Sequence, residues 1–419
     1  MKRFLTTGMV ALFLLSSVSI AMATNGYFQH GYSIKNMALA GAGVALPLDS
    51  LAASMNPAGM VMVGSRIDVG LTLFNPKREY TVRGNQSGFP GTFGLTPGTK
   101  ESGSELFLIP SFGANAMLNP NNSVGLSIYG NGGMNTDYDT RTFFGSSPTG
   151  VDLIQIFVAP SYAVKLHPRH SVGISAILAY QSFEAKGLEA FAAFSSSPSN
   201  LTNNGHDNSF GYGARIGYLG EILSGLFLGA SYQTRIYMSE FDDYKGLFAE
   251  DGDFDIPQNW TVGLAFKATP ALTFAADVQK IYYSDIDSIG NPILPNLMKS
   301  PLGSDHGAGF GWEDMTVFKF GVQWQSSEEW IWRGGFSYGE QPIDGSEVLF
   351  NILAPAVIET HATFGVTKKI GKNQELDFSF MRAFPKTVKG PNPLEAPGQQ
   401  TIKLKMNQWE GSVGYTWKF

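Results

Sequence analysis

Residues 408–419, the last twelve of the chain, read QWEGSVGYTWKF. From Trp409 to Phe419 the odd positions are aromatic, aliphatic or glycine, and the even positions are mainly polar. An alternation of period two predicts a β-strand with one apolar and one polar face. In a soluble sandwich the apolar face would pack on a core, whereas in a membrane barrel it would meet lipid and the polar face would line the lumen. A single strand leaves both folds open.

Similar patterns recur along the chain and give fourteen predicted strands. Most are close to the ~9–11 residues that a tilted strand needs to cross a bilayer. The predicted strands are 66–74, 104–118, 123–129, 152–165, 171–182, 210–220, 226–237, 258–267, 272–282, 315–325, 330–338, 359–369, 374–383 and 408–419.

The connections between these strands alternate in length. The short ones are 119–122, 166–170, 221–225, 268–271, 326–329 and 370–373. The long ones are 75–103, 130–151, 183–209, 238–257, 283–314, 339–358 and 384–407. An even number of strands with tight turns at one end and long loops at the other is typical of an outer-membrane barrel. We therefore predict an all-β fold, a 14-stranded antiparallel transmembrane β-barrel.

The composition excludes several other classes of protein. Hydrophobic residues make up 43% and charged residues 15% of the 419 residues, and the mean hydropathy is −0.04. A helical membrane protein would need an apolar run of about 20 residues for each span. The net charge of −6 argues against a nucleic-acid partner. With no cysteine, disulfides and thiolate metal sites are excluded.

The N-terminus has the pattern of a secretory signal peptide. Lys2 and Arg3 precede an apolar segment, 4–15, and Ala21-Met22-Ala23 offers a cleavage site. A membrane anchor, the alternative, would need a longer apolar stretch. We predict a cleaved signal peptide at 1–23 and localisation in the outer membrane of a Gram-negative bacterium.

Residues 24–65 lack strand alternation and are rich in glycine and small residues. A 14-stranded barrel has a lumen that wall side chains alone do not fill, so we interpret this segment as an internal hatch. A disordered periplasmic tail is the alternative, but the low charge and apolar residues argue against it. The predicted organisation is a signal peptide at 1–23, a hatch at 24–65 and a barrel at 66–419.

Taken together, the Gly-rich segment, Asn56-Pro57-Ala58 at its end, the fourteen strands and the final Phe419 resemble the FadL/TodX family of outer-membrane transporters. The resemblance implies a monomeric barrel closed by a hatch, with Asn56, Pro57 and Ala58 as hatch residues. It also implies passive uptake of long-chain fatty acids or hydrocarbons. The substrate would be captured between outer loops, passed to a lumenal site and released sideways beside a kinked third strand.

Two further sets of residues follow from this resemblance. The lateral opening would map to Gly130, Gly132 and Gly133, with an ordinary Gly-rich loop as the alternative. The outer apolar groove would map to two long loops, with simple loop–loop packing as the alternative. Its predicted residues are Leu188, Phe191, Phe194, Leu247 and Phe248.

A fatty acid also needs a cation for its carboxylate. Strand parity directs four cations to the lumen: Arg215, Arg235, Lys319 and Arg333. Arginine is well suited to bidentate carboxylate binding. The alternative is a structural network with lumenal acids, for which Asp277, Glu375 and Asp377 are the candidates.

We predict neither enzymatic activity nor a cofactor. The six histidines show no catalytic pattern and no Gly-x-Ser-x-Gly elbow occurs. The acidic segment 251–255 could attract calcium but lacks the spacing of an EF-hand, so we favour an ordinary loop and predict no metal site.

The sequence thus favours passive outer-membrane transport of long-chain fatty acids or similar hydrophobic compounds. Uptake of aromatic hydrocarbons or alkanes is the alternative within that class. A general porin or an adhesive or structural barrel is the alternative from another class. The predicted partners are a hydrophobic small-molecule ligand, outer-membrane lipid and lipopolysaccharide.

Overall fold

The structure is a computed structural model that describes residues 25–419. The predicted signal peptide, 1–23, lies outside the described residues, as does Thr24, the first residue of the predicted hatch.

Fourteen antiparallel strands form a closed barrel, which confirms the predicted fold. The barrel closes where the last strand, Thr401–Lys418, pairs with the first, Arg66–Arg83, from Arg66 opposite Lys418 to Arg83 opposite Thr401. Two short strands, Gly98–Glu101 and Tyr237–Met238, each pair with one wall strand near its outer end. The strands are β1 (Arg66–Arg83), β2 (Gly98–Glu101), β3 (Phe107–Asn119), β4 (Asn122–Asp137), β5 (Gly150–His167), β6 (His170–Lys186), β7 (Asp207–Leu223), β8 (Leu226–Gln233), β9 (Tyr237–Met238), β10 (Asn259–Lys267), β11 (Leu272–Ile281), β12 (Met315–Gln325), β13 (Trp330–Gly339), β14 (Thr360–Ile370), β15 (Gln374–Pro391) and β16 (Thr401–Lys418).

In β16 the apolar side chains point outward and the polar side chains point inward, as in a membrane barrel. Trp417 is 51% exposed, whereas Thr416 beside it is fully buried. The outward face of other wall strands is equally apolar, with exposed Leu71, Phe320, Phe336, Phe364 and Phe380. A soluble sandwich would show the opposite polarity, because its apolar face would be the buried one. The apolar face therefore points to lipid and the polar face to the lumen.

Several strands are longer than predicted at their outer ends. β1 continues to Arg83, β4 to Asp137 and β15 to Pro391, while β16 begins at Thr401. The loops predicted at 75–103, 130–151 and 384–407 are correspondingly shorter. These extensions were not predicted because they lie above the membrane. Their outward side chains, such as Lys403 and Lys405, meet water, so the alternation of aromatic and polar residues that marks the lipid-facing part of a strand is missing.

Residues 25–65 lie inside the barrel and are largely buried. They form short helical turns at Ile34–Met37, Ser50–Ser54, Pro57–Gly59 and Met60–Val63. The loops add turns at Glu189–Phe194, Pro198–Asn200, Asp242–Tyr244, Ala249–Gly252, Tyr283–Asp285, Asp287–Gly290, Asn296–Lys299, Gly345–Glu347 and Phe350–Ile352. None of the helices within residues 25–419 has the length and apolar character needed to span a membrane.

Candidate functional site

The wall of the barrel is irregular between β3 and β4. Pairing of these strands ends at Phe112 opposite Ile128, and beyond that point β4 pairs with β5 alone among the wall strands. The β4–β5 register shifts between Gly130 and Gly132, which is a β-bulge, and residues 129–136 of β4 are buried. Bulges bend a strand and increase its local twist. The glycines of the predicted lateral opening thus lie within the strand at a bend, rather than at the start of a loop.

The N-terminal segment takes the place of the missing strand neighbour. Gln29 donates its peptide N–H to the Asn131 carbonyl at 3.0 Å, and Gly133 donates to the Tyr27 carbonyl at 3.1 Å. Gly132 is required for this approach, because a Cβ atom at that position would lie 2.0 Å from the Tyr27 carbonyl oxygen. The bent part of β4 is therefore paired with residues that do not belong to the wall.

Asn56, Pro57 and Ala58 fit into a recess of the wall. The Asn56 amide donates to the carbonyls of Val44 and Tyr218, both at 2.8 Å. Beneath this turn lie Gly173 and Gly217, which are opposite each other on β6 and β7. A Cβ atom on either glycine would collide with the turn, at 2.4 Å from Pro57 and 1.9 Å from Asn56. Two wall glycines thus create the space that the tripeptide fills.

Carboxylates on the lumenal face of the wall bind the N-terminal segment as well as cations of the wall. Asp277 accepts the peptide N–H groups of Gly43 and Val44 at 2.7 and 2.9 Å. Glu375 forms a buried ion pair with Lys35. The sequence interpretation had these acids paired with lumenal cations across the wall. It missed the segment as their partner, because periodicity does not show which peptide groups enter a lumen.

The outer loops enclose a narrow apolar cavity. Among its lining residues Ser288 has the one polar side chain; the others include Phe143, Phe183, Leu201, Leu302, Ala308, Phe310 and Phe350. Four of the five predicted groove residues, Leu188, Phe191, Leu247 and Phe248, line it as well. Phe194 does not line the cavity, and its side chain is exposed. Four of the five predicted residues therefore line one apolar cavity between the outer loops.

Aromatic rings connect this cavity to the bend in β4. Phe248 in the cavity lining packs on Phe254 with 4.7 Å between ring centroids, and Phe254 lies 6.2 Å from Tyr27. Tyr27 contacts Phe28 at 5.2 Å, and Phe28 bridges to Gly132 of β4. Sequence reasoning missed these rings, since Tyr27 and Phe28 lie far from Phe254 along the chain and carry no periodic pattern.

Three of the four candidate cations face the lumen from wall strands. Lys319 donates to the His30 carbonyl at 3.3 Å. Arg333 donates to Gln323 and Thr367 at 2.8 and 2.6 Å. Both side chains are thereby held by neutral oxygen atoms.

Arg215 lies between the N-terminal segment and the bent strand. Its guanidinium donates to the Tyr129 hydroxyl at 3.1 Å, and also to the Ser54 carbonyl and to Gln233. Within residues 25–419 it forms no ion pair with a carboxylate, although its side chain is buried. A buried guanidinium without a carboxylate partner has an unneutralised charge.

Arg235 occupies a different place from the one predicted. The strand predicted at 226–237 ends at Gln233, and Arg235 lies in the connection that follows. Its guanidinium bonds to Asp255 and lies 3.4 Å from Asp253. Burial and the neighbouring Asp255 carboxylate raise the pKa of Asp253 to about 8. Arg235 is therefore part of an ionic cluster of the outer loops.

The closed 14-stranded wall, the buried N-terminal segment and the apolar outer cavity agree with a sequence match. Residues 15–419 match the family described as "Outer membrane protein transport protein (OMPP1/FadL/TodX)". The chain belongs to this FadL/TodX family. The resemblance seen in the sequence is thereby confirmed.

Solved structures of FadL/TodX proteins have the same fold. The P. putida toluene transporter TodX is 15% identical, with a TM-score of 0.65 and coverage of 93% of this chain and 99% of TodX. A FadL homologue of Pseudomonas aeruginosa is 16% identical, with a TM-score of 0.69 and coverage of 94% and 100%. The Ralstonia pickettii toluene transporter TbuX is 19% identical, with a TM-score of 0.63 and coverage of 93% and 99%. No curated protein sequence gives a significant match.

Membership of the FadL/TodX family establishes the cellular setting. The protein belongs in the outer membrane of a Gram-negative bacterium, in a family of transporters for hydrophobic compounds. The family consists of transport channels rather than enzymes.

Proposed function

We propose that this protein carries long-chain fatty acids or similar hydrophobic molecules passively across the outer membrane, through a hatch-closed barrel with lateral release. The observation that carries this proposal is the seam between β3 and β4, where the N-terminal segment replaces a wall strand as the partner of β4. The proposal has three steps, which are capture, passage and release.

Capture would take place in the apolar cavity of the outer loops. Transfer of an apolar solute from water to a site lined by Phe143, Leu201 and Phe310 is favoured by the hydrophobic effect. Apolar lining with few polar groups is typical of small-molecule sites. The polar sugars of the outer leaflet would otherwise keep such a solute from the membrane.

Passage would require movement of the N-terminal segment. Tyr27 and Phe28 occupy the space between the cavity and the bend in β4, so no solute passes while they stay in place. The segment is held at this point by a few hydrogen bonds, each worth about 1 kcal/mol net. The anchors at Asp277, Glu375 and the Gly173–Gly217 recess lie further along the chain. Residues 25–32 could therefore shift while the rest of the hatch remains bound.

Release would be sideways through the seam. β3 residues 107–111 have β1 as their neighbour but no partner in β4. A solute that leaves between these strands enters the hydrocarbon region directly. Partitioning into lipid would then drive transport without another energy source.

The ligand class depends on Arg215. Its unneutralised guanidinium, beside the bent strand, suits the carboxylate of a fatty acid. A neutral aromatic hydrocarbon is the second candidate, because the outer cavity has no charged residue in its lining. Two of the structural relatives are toluene transporters by name.

The test is uptake of radiolabelled oleate and of toluene by cells that lack their own transporter. We compare the wild type with Arg215→Gln and, as a matched control, Arg382→Gln on the lipid-facing side of β15. For a fatty acid transporter, Arg215→Gln lowers oleate uptake about tenfold and leaves toluene uptake unchanged, since loss of a charge-assisted bond costs about 1.5–3 kcal/mol. Toluene uptake without oleate uptake in the wild type would select the hydrocarbon. Entry of neither substrate would refute the transport proposal.

A further inference from the structure

The outward face of the barrel above the membrane has an uneven charge. On β15, β16 and β1 this face carries four cations, Lys389, Lys403, Lys405 and Arg83, with Glu79 and Glu101 as the acids beside them. Lys77 on β1 faces the same way but forms an ion pair with Glu105. We refer to the four cations as the basic patch. On the far side of the rim, β4 to β7 carry mainly acids, namely Asp137, Asp152, Glu184 and Asp207, with Lys186 and His206 between them. The basic patch is thus a local feature of a chain whose net charge is −6.

Two lysines of the patch occupy directly opposed positions, and the described residues supply an acidic partner for only one of them. Lys389 on β15 is directly opposite Lys403 on β16. Like charges at opposed positions of a sheet are destabilising. Glu79 lies 3.8 Å from Lys403 and 3.3 Å from Lys405, but neither Lys389 nor Arg83 forms an ion pair with a residue in 25–419. An external anion would remove this repulsion.

The height of the patch follows from the aromatic residues of β16. Trp409 and Trp417 mark the two edges of the apolar belt, and the eight residue steps from one to the other span about 20 Å along the membrane normal at a tilt of about 40°. Lys405 and Lys403 lie four and six residues beyond Trp409, which is about 10 and 15 Å above the belt edge. Half of the belt is about 10 Å, so Lys405 lies about 20 Å from the bilayer midplane, at the headgroup level, and the long side chain of Lys403 begins about 5 Å above it.

An apolar surface continues directly below the patch. The same strands expose Leu71, Phe378, Phe380, Phe384, Val413 and Tyr415 to lipid. A molecule with anionic groups at the headgroup level and acyl chains beneath them therefore matches both parts of this surface.

We propose that Arg83, Lys389, Lys403 and Lys405 bind the phosphate groups of an outer-leaflet glycolipid, the lipid A portion of lipopolysaccharide. A phosphate oxygen accepts strong charge-assisted hydrogen bonds from lysine and arginine. One phosphate placed between Lys389 and Lys403 would accept hydrogen bonds from both ammonium groups and so remove their mutual repulsion. This inference does not depend on what the barrel transports.

The experiment measures binding of lipid A to the purified full-length barrel in detergent by native mass spectrometry. Phosphorylated lipid A is compared with lipid A from which the phosphates have been removed. The variants are Lys389→Gln/Lys403→Gln and a matched control, Lys267→Gln/Lys372→Gln, at the opposite, short-turn end of the barrel. The wild type and the control should prefer phosphorylated lipid A about tenfold, and the patch variant should lose most of that preference.

A second variant changes binding in the other direction. Glu79→Gln removes the acid that competes for Lys403 and Lys405, so it should strengthen binding of phosphorylated lipid A about threefold. Equal binding of the two lipids by the wild type, or equal loss in the patch and control variants, would overturn the proposal. So would weaker binding by Glu79→Gln.

Discussion

Two parts of the barrel wall differ in how their backbone groups are paired. From β10 to β14 every neighbouring pair keeps one unbroken register, for example Val317–Gln325 against Ile331–Gly339. At β3 and β4 the register ends at Phe112, and residues 27–29 supply partners for the bent part of β4, residues 131–133.

The difference shows where a barrel can open. In lipid an unpaired peptide group costs several kcal/mol, so a complete ladder such as β12–β13 cannot part without a large penalty. At the seam the peptide groups of β4 are paired with a segment in the lumen. The wall there is already interrupted, and the N-terminal segment rather than a neighbouring strand covers the gap.

The largest effect should come from removing the segment that covers the seam. Deletion of residues 25–32 opens the path from the outer cavity to the bend in β4, because Tyr27 and Phe28 are lost. We expect ion conductance in planar bilayers to rise about tenfold, since a barrel of this width has a lumen its wall side chains do not fill. Unchanged conductance and unchanged oleate uptake would mean that the segment is not a hatch.

A substitution at Gly132 tests the pairing between β4 and the N-terminal segment at a single residue. Gly132→Val places Cβ 2.0 Å from the Tyr27 carbonyl oxygen and so displaces the paired segment. Loss of about two hydrogen bonds at roughly 1 kcal/mol each weakens the closed position of residues 25–32, so ion conductance should rise, by less than in the deletion, with the barrel still folded. Gly411→Val on β16 is the control, because a Cβ at Gly411 has no atom within 4 Å. Equal conductance of the two variants would contradict the role of the bend.

A smaller effect is expected from filling the outer cavity. Ala308 is buried in its lining, and Ala308→Phe adds a ring where the ligand would be captured. The ring takes up part of the space that the ligand would fill, so uptake at low substrate concentration should fall about threefold to tenfold, which corresponds to about 0.7–1.4 kcal/mol of lost binding free energy. Ala276→Phe on the lipid face of β11 provides a control. Normal uptake by Ala308→Phe would exclude the cavity as the capture site.

The smallest effect concerns pH and the outer loops. The pKa of Asp253 is raised to about 8 by burial and by Asp255, whereas an unfolded Asp titrates near 3.9. The packed loop therefore binds more protons than the open loop, and its stability decreases as pH rises from about 4 to about 8. Hydrogen exchange of residues 242–255, corrected for intrinsic rates, should be faster at pH 9 than at pH 5. In Asp253→Asn this difference should disappear, and its persistence would assign it to another group.

The fold could be predicted from the sequence because the two sides of a barrel strand meet different solvents. Each strand therefore alternates apolar and polar residues with a period of two, as in residues 408–419. The connections at the periplasmic end are short turns and those at the outer end are long loops, so their lengths alternate along the chain. Where both faces meet water, as at Lys403 and Lys405, the contrast vanishes and the strand ends could not be predicted.

The candidate site depended on the tertiary structure. Glycines at 130, 132 and 133 indicated a bend, but only the fold shows that Tyr27 pairs with it. The apolar residues of the outer loops were visible in the sequence, whereas their closure into one cavity was not. The sequence by itself determined the strands of the barrel wall, because the alternation that marks a strand involves only residues that are close together in the chain. The contacts of residues 25–65 with Asp277, Glu375 and the Gly173–Gly217 recess join positions far apart in the chain, and only the closed barrel brings them together.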